Sequence, residues 1–320
     1  MSKKEQVNIH RTSIGGQAVM EGVMMRGPHL IATAVRKPDG EIIIDEQSVG
    51  KVRKSKILKL PVIRGCINFF DSMIIGVKSL MFSAKFFDMD DEGEPTEEEP
   101  SKFEQWLERK LGSEKALSAV IYIAVILSLL VSVGLFILLP TVLVGFIKQF
   151  VENHVALTLL EGLVRIVIFL LYLTLVSQTK DIKRVFMYHG AEHKSIFCYE
   201  HGEELNVENV RRQKRLHPRC GTSFLLIVMV ISIVVFSFIS WDNPFTRLLL
   251  RLLLLPVVAG ISYEIIKFAG RHENWFTKAI SAPGMWLQLI TTREPDDSQI
   301  EVAIAALKAV MPESKEEDKW

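Results

Sequence analysis

From Ala116 to Leu139 the chain carries no charged residue, and this stretch exceeds the roughly 20 residues a helix needs to cross a bilayer core. Inside hydrocarbon every backbone N–H and C=O must be satisfied within the segment, so a block of this kind folds as a helix. Three further apolar blocks follow: Val155–Val176, interrupted by Glu161 and Arg165; Thr222–Ile239; and Leu248–Ile266, which contains Arg251, Pro256, Gly260 and Glu264. These blocks concentrate the 49% of hydrophobic residues in a 320-residue chain whose mean hydropathy is +0.25. The fold class they predict is mainly α: a polytopic helical membrane protein with about four spans and the lipid bilayer as its first partner.

A net charge of +1 leaves no electrostatic footprint for nucleic acid. Cys66, Cys198 and Cys220 have no framework spacing, which argues against a disulfide-stapled secreted fold. The opening MSKKEQVNIHRTS is charged with no apolar run behind it, so no cleavable signal peptide is expected.

Seven segments follow from composition: an N-terminal cytoplasmic β-hairpin unit (1–60), an amphipathic membrane-associated helix (61–87), an acidic linker (88–115), spans one and two (116–177), a cytoplasmic His-rich loop (178–221), spans three and four (222–267), and a cytoplasmic tail (268–320). The hairpin is predicted from Leu30–Arg36 and Glu41–Gln47, because Lys37-Pro38-Asp39-Gly40 supplies turn dihedrals between them. Before it, the Gly- and Met-rich run Gly15–Gly27 suggests close backbone approach or positive φ. Over 61–87, Arg64, Asp71, Lys78 and Lys85 make a narrow polar stripe on a wide apolar face, as in a helix lying in the membrane interface. A helix packed on the bundle, or a fifth span, fits the same pattern. In the tail, Ser298–Val310 reads as a helix capped by Asp296, Asp297 or Ser298.

Lysine and arginine placement gives the orientation. Lys102, Arg109, Lys110 and Lys115 precede span one, and the 178–221 loop is rich in both residues. By contrast, Lys148 is alone after span one, and the turn Trp241–Phe245 has none. Both termini and the 178–221 loop are therefore expected in the cytoplasm. Within the spans, Glu161 and Arg165 lie four apart on one face, and Glu161 and Arg251 fall at similar depth. They predict an interhelical ion cluster that fixes register, with an ion or proton pathway as the alternative.

The chemistry-bearing segment is His189-Gly190-Ala191-Glu192-His193, an H-x-x-E-H pattern. On a helix the two imidazoles point to one side and can share a metal ion, most naturally zinc, with Glu192 placed to act as general base on water. A third ligand is needed. His217 ranks first and Glu264 second, with His272 and Glu273 also near in topology. Extended straight from span two, His189 would stand about 20 Å beyond the membrane, so the loop helix must bend back for Glu264 to reach. A rival arrangement pairs Cys198-x-x-His201 with His217-x-x-Cys220 as a closed structural zinc site, which makes Cys220, Cys198 and His201 alternative ligands.

The motifs GGQAVMEGVMMRG, YHGAEHK, HPRCGTSF and TTREPDDSQIEVAIAAL, in that order from Ile14 to Leu307, resemble the YqhQ-like family. These are bacterial membrane proteins with a domain of unknown function, described as predicted metal-dependent enzymes. The resemblance implies a bacterial plasma-membrane protein and points to His189, Glu192, His193, His217 and Cys220, with Glu21 and Arg26 in the N-terminal motif. Two functions from different classes fit. One is a metal-dependent hydrolase at the cytoplasmic face acting on a peptide, lipid or lipid-linked substrate, with the 61–87 helix gating access. The other is a non-catalytic scaffold or membrane-organising homo-oligomer whose metal or His cluster is structural. Metal coordination number separates them: an open site favours the enzyme, a closed four-ligand site the scaffold.

Overall fold

The computed structural model describes residues 10–49, 60–86, 113–239, 243–272 and 274–320. The acidic run Asp88–Ser101, Trp241 and Glu273 lie outside the described residues. The chain divides into two units, one of residues 1–88, 172–232 and 253–320, the other of residues 89–171 and 233–252.

The first unit opens on an antiparallel sheet of four sequential strands, β1 (Gly15–Val19), β2 (Gly22–Arg26), β3 (Leu30–Arg36) and β4 (Ile42–Ser48). The expected hairpin is β3–β4, with Gly40 at φ 88° in its turn. The Gly/Met run forms two further strands that alternation did not reveal. In β2 the cause is burial on both faces, which removes the polar half of the pattern, and in β1 the two glycines leave no side chains to alternate. Val23 and Met25 on β2 and Ala32 and Ala34 on β3 join one core with Tyr188, Ile300 and Leu307. Met24 and Thr33 face the other way, and there Thr33 donates to Ser79 Oγ of α1 (Ile63–Ala84) at 3.1 Å.

The core-side face is covered by α5 (Lys180–Glu200) and by α10 (Asp297–Val310). Asp296 caps α10 in a reciprocal box with Gln299, an arrangement worth about 1 kcal/mol. Between these helices run α6 (Val207–Arg212), α7 (Gly221–Phe236), α8 (Pro244–Arg271) and α9 (Trp275–Thr291). The terminal segments meet: Thr12 bridges Lys319, and His10 and Thr12 bond to Asp318. Both are tied to the end of α5, since the His10 and Thr12 amides donate to the Glu200 carbonyl and carboxylate, each at 3.0 Å. The N-terminal sheet, the His-rich segment and the C-terminal tail thus share one body.

Helix α1 packs through small residues. A Cβ on Gly65 would lie 2.9 Å from Gly260 Cα of α8, and the Gln17 carboxamide closes on Gly76. Arg64 grips Glu264 of α8 with its Nε and Nη2, and Cys66 Sγ lies 2.7 Å from Pro256 O.

The second unit holds α2 (Ser113–Val133), a π-helical turn (Gly134–Leu138), α3 (Leu139–Gly145) and most of α4 (His154–Val176). Pro140 cannot donate to the carbonyl four residues back, and that carbonyl, of Phe136, accepts from Arg165 Nε at 2.9 Å. Glu161, 1% exposed, is held by Arg247, by both terminal nitrogens of Arg251 and by Thr141 at 2.6 Å. Arg165 stands 3.6 Å off. The cluster inferred from Glu161, Arg165 and Arg251 therefore forms, with Arg247 and Thr141 as members the sequence did not single out.

Among the described residues, four helical stretches have the length and composition to cross a membrane: Ile63–Ala84, Tyr122–Gly145, His154–Val176 and Phe245–Arg271. This set differs from the expected one. Helix α1 joins it as its least apolar member, while α7, expected over Thr222–Ile239, ends at Phe236 and falls short of that length.

Candidate metal centre

Helix α5 starts after Thr179, whose extended backbone breaks the chain away from α4. Four residues apart on one face, His189 and His193 bring their rings to 4.4 Å between centroids. Each ring is oriented from behind by a backbone carbonyl: His189 Nδ1 lies 2.8 Å from Thr291 O, and His193 Nδ1 lies 2.5 Å from Arg215 O. A carbonyl can only accept, so both Nδ1 atoms carry a proton and both Nε2 atoms point away from these carbonyls.

Cys220 completes the group. Its Sγ lies 3.2 Å from His189 Nε2, and one ligand atom from each of His189, His193 and Cys220 falls within 4.8 Å of the others. Among the described residues this is the one His/Cys/Asp/Glu group so disposed. Cys220 sits at the start of α7, where the Thr222 amide and hydroxyl reach its sulfur at 3.4 and 3.3 Å. Helix N-termini of this kind stabilise thiolates. Burial favours the neutral thiol, but His193 and His189 outweigh burial and hold Cys220 well below its usual range. Burial likewise opposes the imidazolium of His189, and the Cys220 sulfur overcomes it, pushing His189 up to about 9.

Glu192 lies beside the group, its Oε2 3.9 Å from His189 Nε2. Burial pushes this carboxyl up, against the pull of His193 and His189, and the Gly16 amide bonds to it. Among the described residues, Glu192 Oε2 and His193 Nε2 are both buried with no hydrogen-bond partner. Two orphaned polar atoms beside a thiol are costly to bury unless a ligand satisfies them. The residues present fit a divalent ion in a two-histidine, one-cysteine set.

The glycines of the motifs make the approach possible. A Cβ on Gly16 would stand 3.2 Å from Glu192 Cδ and 3.0 Å from Met25 Sδ. On Gly190 it would collide with the Arg293 carbonyl oxygen. Glu21, at φ 48° in the β1–β2 turn, reaches Arg184 and, at 3.0 Å, the Tyr188 hydroxyl, pinning the sheet to α5 one residue before His189.

The other predicted residues are placed elsewhere. His217 lies near His193 (ring centroids 5.6 Å apart), but its Nε2 faces Glu200 Oε2 at 3.5 Å and its Nδ1 accepts from the Arg219 amide. Burial lowers His217, while His217 and Arg219 hold Glu200 below its usual range despite burial. Glu264 is not brought to the centre, because Arg64 holds its carboxylate. Cys198 Sγ is directed at the Glu204 carbonyl (3.5 Å), His201 Nδ1 at Phe197 O (2.7 Å) and His272 Nδ1 at Phe268 O (2.9 Å). The four corners of the rival zinc site are therefore not gathered. Cys220, an alternative ligand in the sequence, and not His217, which ranked first, lies with its ligand atom within 4.8 Å of those of His189 and His193. Its position immediately before an apolar helix was the signal.

A cavity of about 330 Å³ opens beside the centre. Glu192, His193 and Cys220 line it together with Gly15, Gly16, Arg26, Arg219, Ser72 and Ile75 of α1, and Trp320.

Residues 60–313 match the DUF1385 family, described as a protein of unknown function. The chain is 38% identical over 301 residues to the uncharacterized protein YqhQ of Bacillus subtilis (strain 168), covering 93% of this chain and 92% of the relative. No solved structure matches.

Proposed function

The chain belongs to the DUF1385 family, and we propose that it is a bacterial plasma-membrane hydrolase whose cytoplasmic head carries a divalent-metal centre on His189, His193 and Cys220. The observation that carries this is the His193 ring: Nδ1 engaged by a carbonyl, Nε2 buried and unpartnered beside a thiolate-favouring cysteine. A bound ion, zinc by the donor set, supplies Lewis-acid polarisation and lowers the pKa of water to about 7. Three protein ligands would leave a coordination position for water, and the cavity gives a substrate somewhere to sit. Glu192 accepts the proton of the attacking water at Oε2 and is held in place by the Gly16 amide. The substrate is a peptide, lipid or lipid-linked molecule.

Purified protein is expected to hold about one zinc ion per chain. His193→Ala and Cys220→Ala should each lose it, because two remaining ligands hold zinc poorly. Glu192→Gln should keep the metal yet fail to correct any phenotype of a deletion strain. Full complementation by Glu192→Gln beside failure of the ligand variants would make the metal structural and the protein a scaffold. A metal-free wild type would sink the centre and leave Cys220 and His189 as a thiolate–imidazolium pair.

The membrane topology is supported by parity. The sheet, α5 and α10 lie in one body, so the chain leaves and returns to the same side of the bilayer between each pair. Of the three candidates between β4 and α5, two cross. These are Tyr122–Gly145 and α4, and the less apolar α1 lies along the interface. Between α5 and α10, α8 has the length to cross, and parity gives it α7 as partner, the short apolar helix whose apolar run continues past Phe236 to Ile239. Single cysteines at Asn153 and Asn243 should label from outside intact cells, whereas Leu60→Cys, Phe86→Cys and Ile300→Cys should not. Labelling of Phe86→Cys from outside would make α1 a span.

A further inference from the structure

We infer that the cavity beside the metal centre binds an anionic group, a phosphate or carboxylate, through Arg26, which deepens the hydrolase proposal by giving its substrate a charge. Strand pairing sets Gly15 opposite Arg26 and Gln17 opposite Met24, and all four line the cavity. Directly opposed residues share one face of a sheet, so these four line the cavity from the α1 side of the sheet, while Gly16 of the edge strand β1 lines it from the α5 side beside Glu192. Gly15 leaves that wall open, since a Cβ there would meet nothing within 4 Å. Arg26 is half-buried. Arg36, Arg64, Arg184, Arg211, Arg212 and Arg219 of the same unit each grip a carboxylate. Arg26, among the described residues, grips none. A half-buried guanidinium without a carboxylate is a standing receptor for one, or for phosphate, in bidentate geometry.

The rest of the wall has the same sign. Arg219 is paired with Glu200 and stacks 5.8 Å from the Trp320 ring, yet its Nε is buried and unpartnered. Glu192 is the one carboxylate side chain on the lining. With a divalent ion in place, the cations exceed the thiolate and this carboxylate. Beyond the charged rim the lining turns apolar, through Ile14, Met24, Ile75 of α1 and Trp320. About 330 Å³ is at the small end of ligand sites. It accommodates a headgroup with the start of a chain, not a whole lipid. An anionic headgroup whose tail leaves along α1 satisfies charge, size and apolar lining together.

The test uses full-length protein in phosphatidylcholine nanodiscs, with zinc content measured on the same sample. Inorganic phosphate should bind and quench Trp320, and phosphatidate doped into the discs should bind more tightly than phosphate. Arg26→Gln should weaken both by about tenfold or more, the loss of one charge-assisted contact, while zinc stays stoichiometric. Equal affinity for free phosphate and phosphatidate would keep the anion site and assign it to a soluble ligand. Zinc-loaded wild type that ignores both probes, or Arg26→Gln that binds them unchanged, would overturn the inference with the metal centre intact. Absence of zinc would instead strike the hydrolase proposal.

Discussion

Glu161→Gln is expected to cost the second unit about 3–5 kcal/mol, the usual penalty for breaking a buried ion pair from one side. The carboxylate is 1% exposed and takes contacts from Arg251, Arg247 and Thr141. An amide in its place keeps the shape but removes the charge that lets those guanidinium groups stay among apolar helices. The measurable result is a lower Tm in detergent and a shift from a monodisperse to an aggregated peak on size exclusion. Arg165→Met should cost much less. Its Nη2 is 3.6 Å from the carboxylate, and its Nε bond goes to the carbonyl that Pro140 leaves free. A Glu161→Leu/Arg251→Leu double variant should recover part of the loss, since replacing both partners leaves fewer unmatched charges. Wild-type unfolding of Glu161→Gln would show that the cluster carries no net stability.

The same cluster shows what sequence can and cannot convey. Glu161 and Arg165 were legible because charges are rare in apolar blocks, and their spacing of four is local. Arg247 was not, because it stands just before the apolar stretch and reads as an interface residue until the helix is seen to begin at Pro244. The candidate metal ligands divide likewise. His189 and His193 follow from the helical repeat. Cys220 is 27 residues on from His193, and its pairing with them depends on how α7 starts beneath α5. Glu264 looked available only because its partner, Arg64, is 200 residues away in sequence. Strand β2 was hidden by its own burial and β1 by its glycines. Their glycines were noticed, but the partner they make room for, Glu192, belongs to a distant segment.

Gly190→Ala carries the second large effect, and local and tertiary physics pull in opposite directions there. In the middle of an exposed helix the change would stabilise by about 1 kcal/mol, because alanine loses less backbone entropy. Here the new methyl would overlap the Arg293 carbonyl oxygen. The strap through Thr291–Pro295 cannot simply slide, because the Arg293 amide donates to Phe186 O at 2.8 Å and Thr291 O holds His189 Nδ1 at 2.8 Å. Moving the strap breaks both bonds and frees the imidazole that they orient. Loss of an outer partner of a metal-ligating histidine lowers metal affinity by about 10–100-fold. Chelator competition should show that loss in Gly190→Ala, together with a reduced Tm. Gly145→Ala is the matched control, since a Cβ there meets nothing within 4 Å, and it should leave zinc affinity unchanged and Tm equal or slightly higher. Wild-type zinc affinity in Gly190→Ala would mean that His189 is held without the strap, and the role assigned to the 291–295 segment would fall.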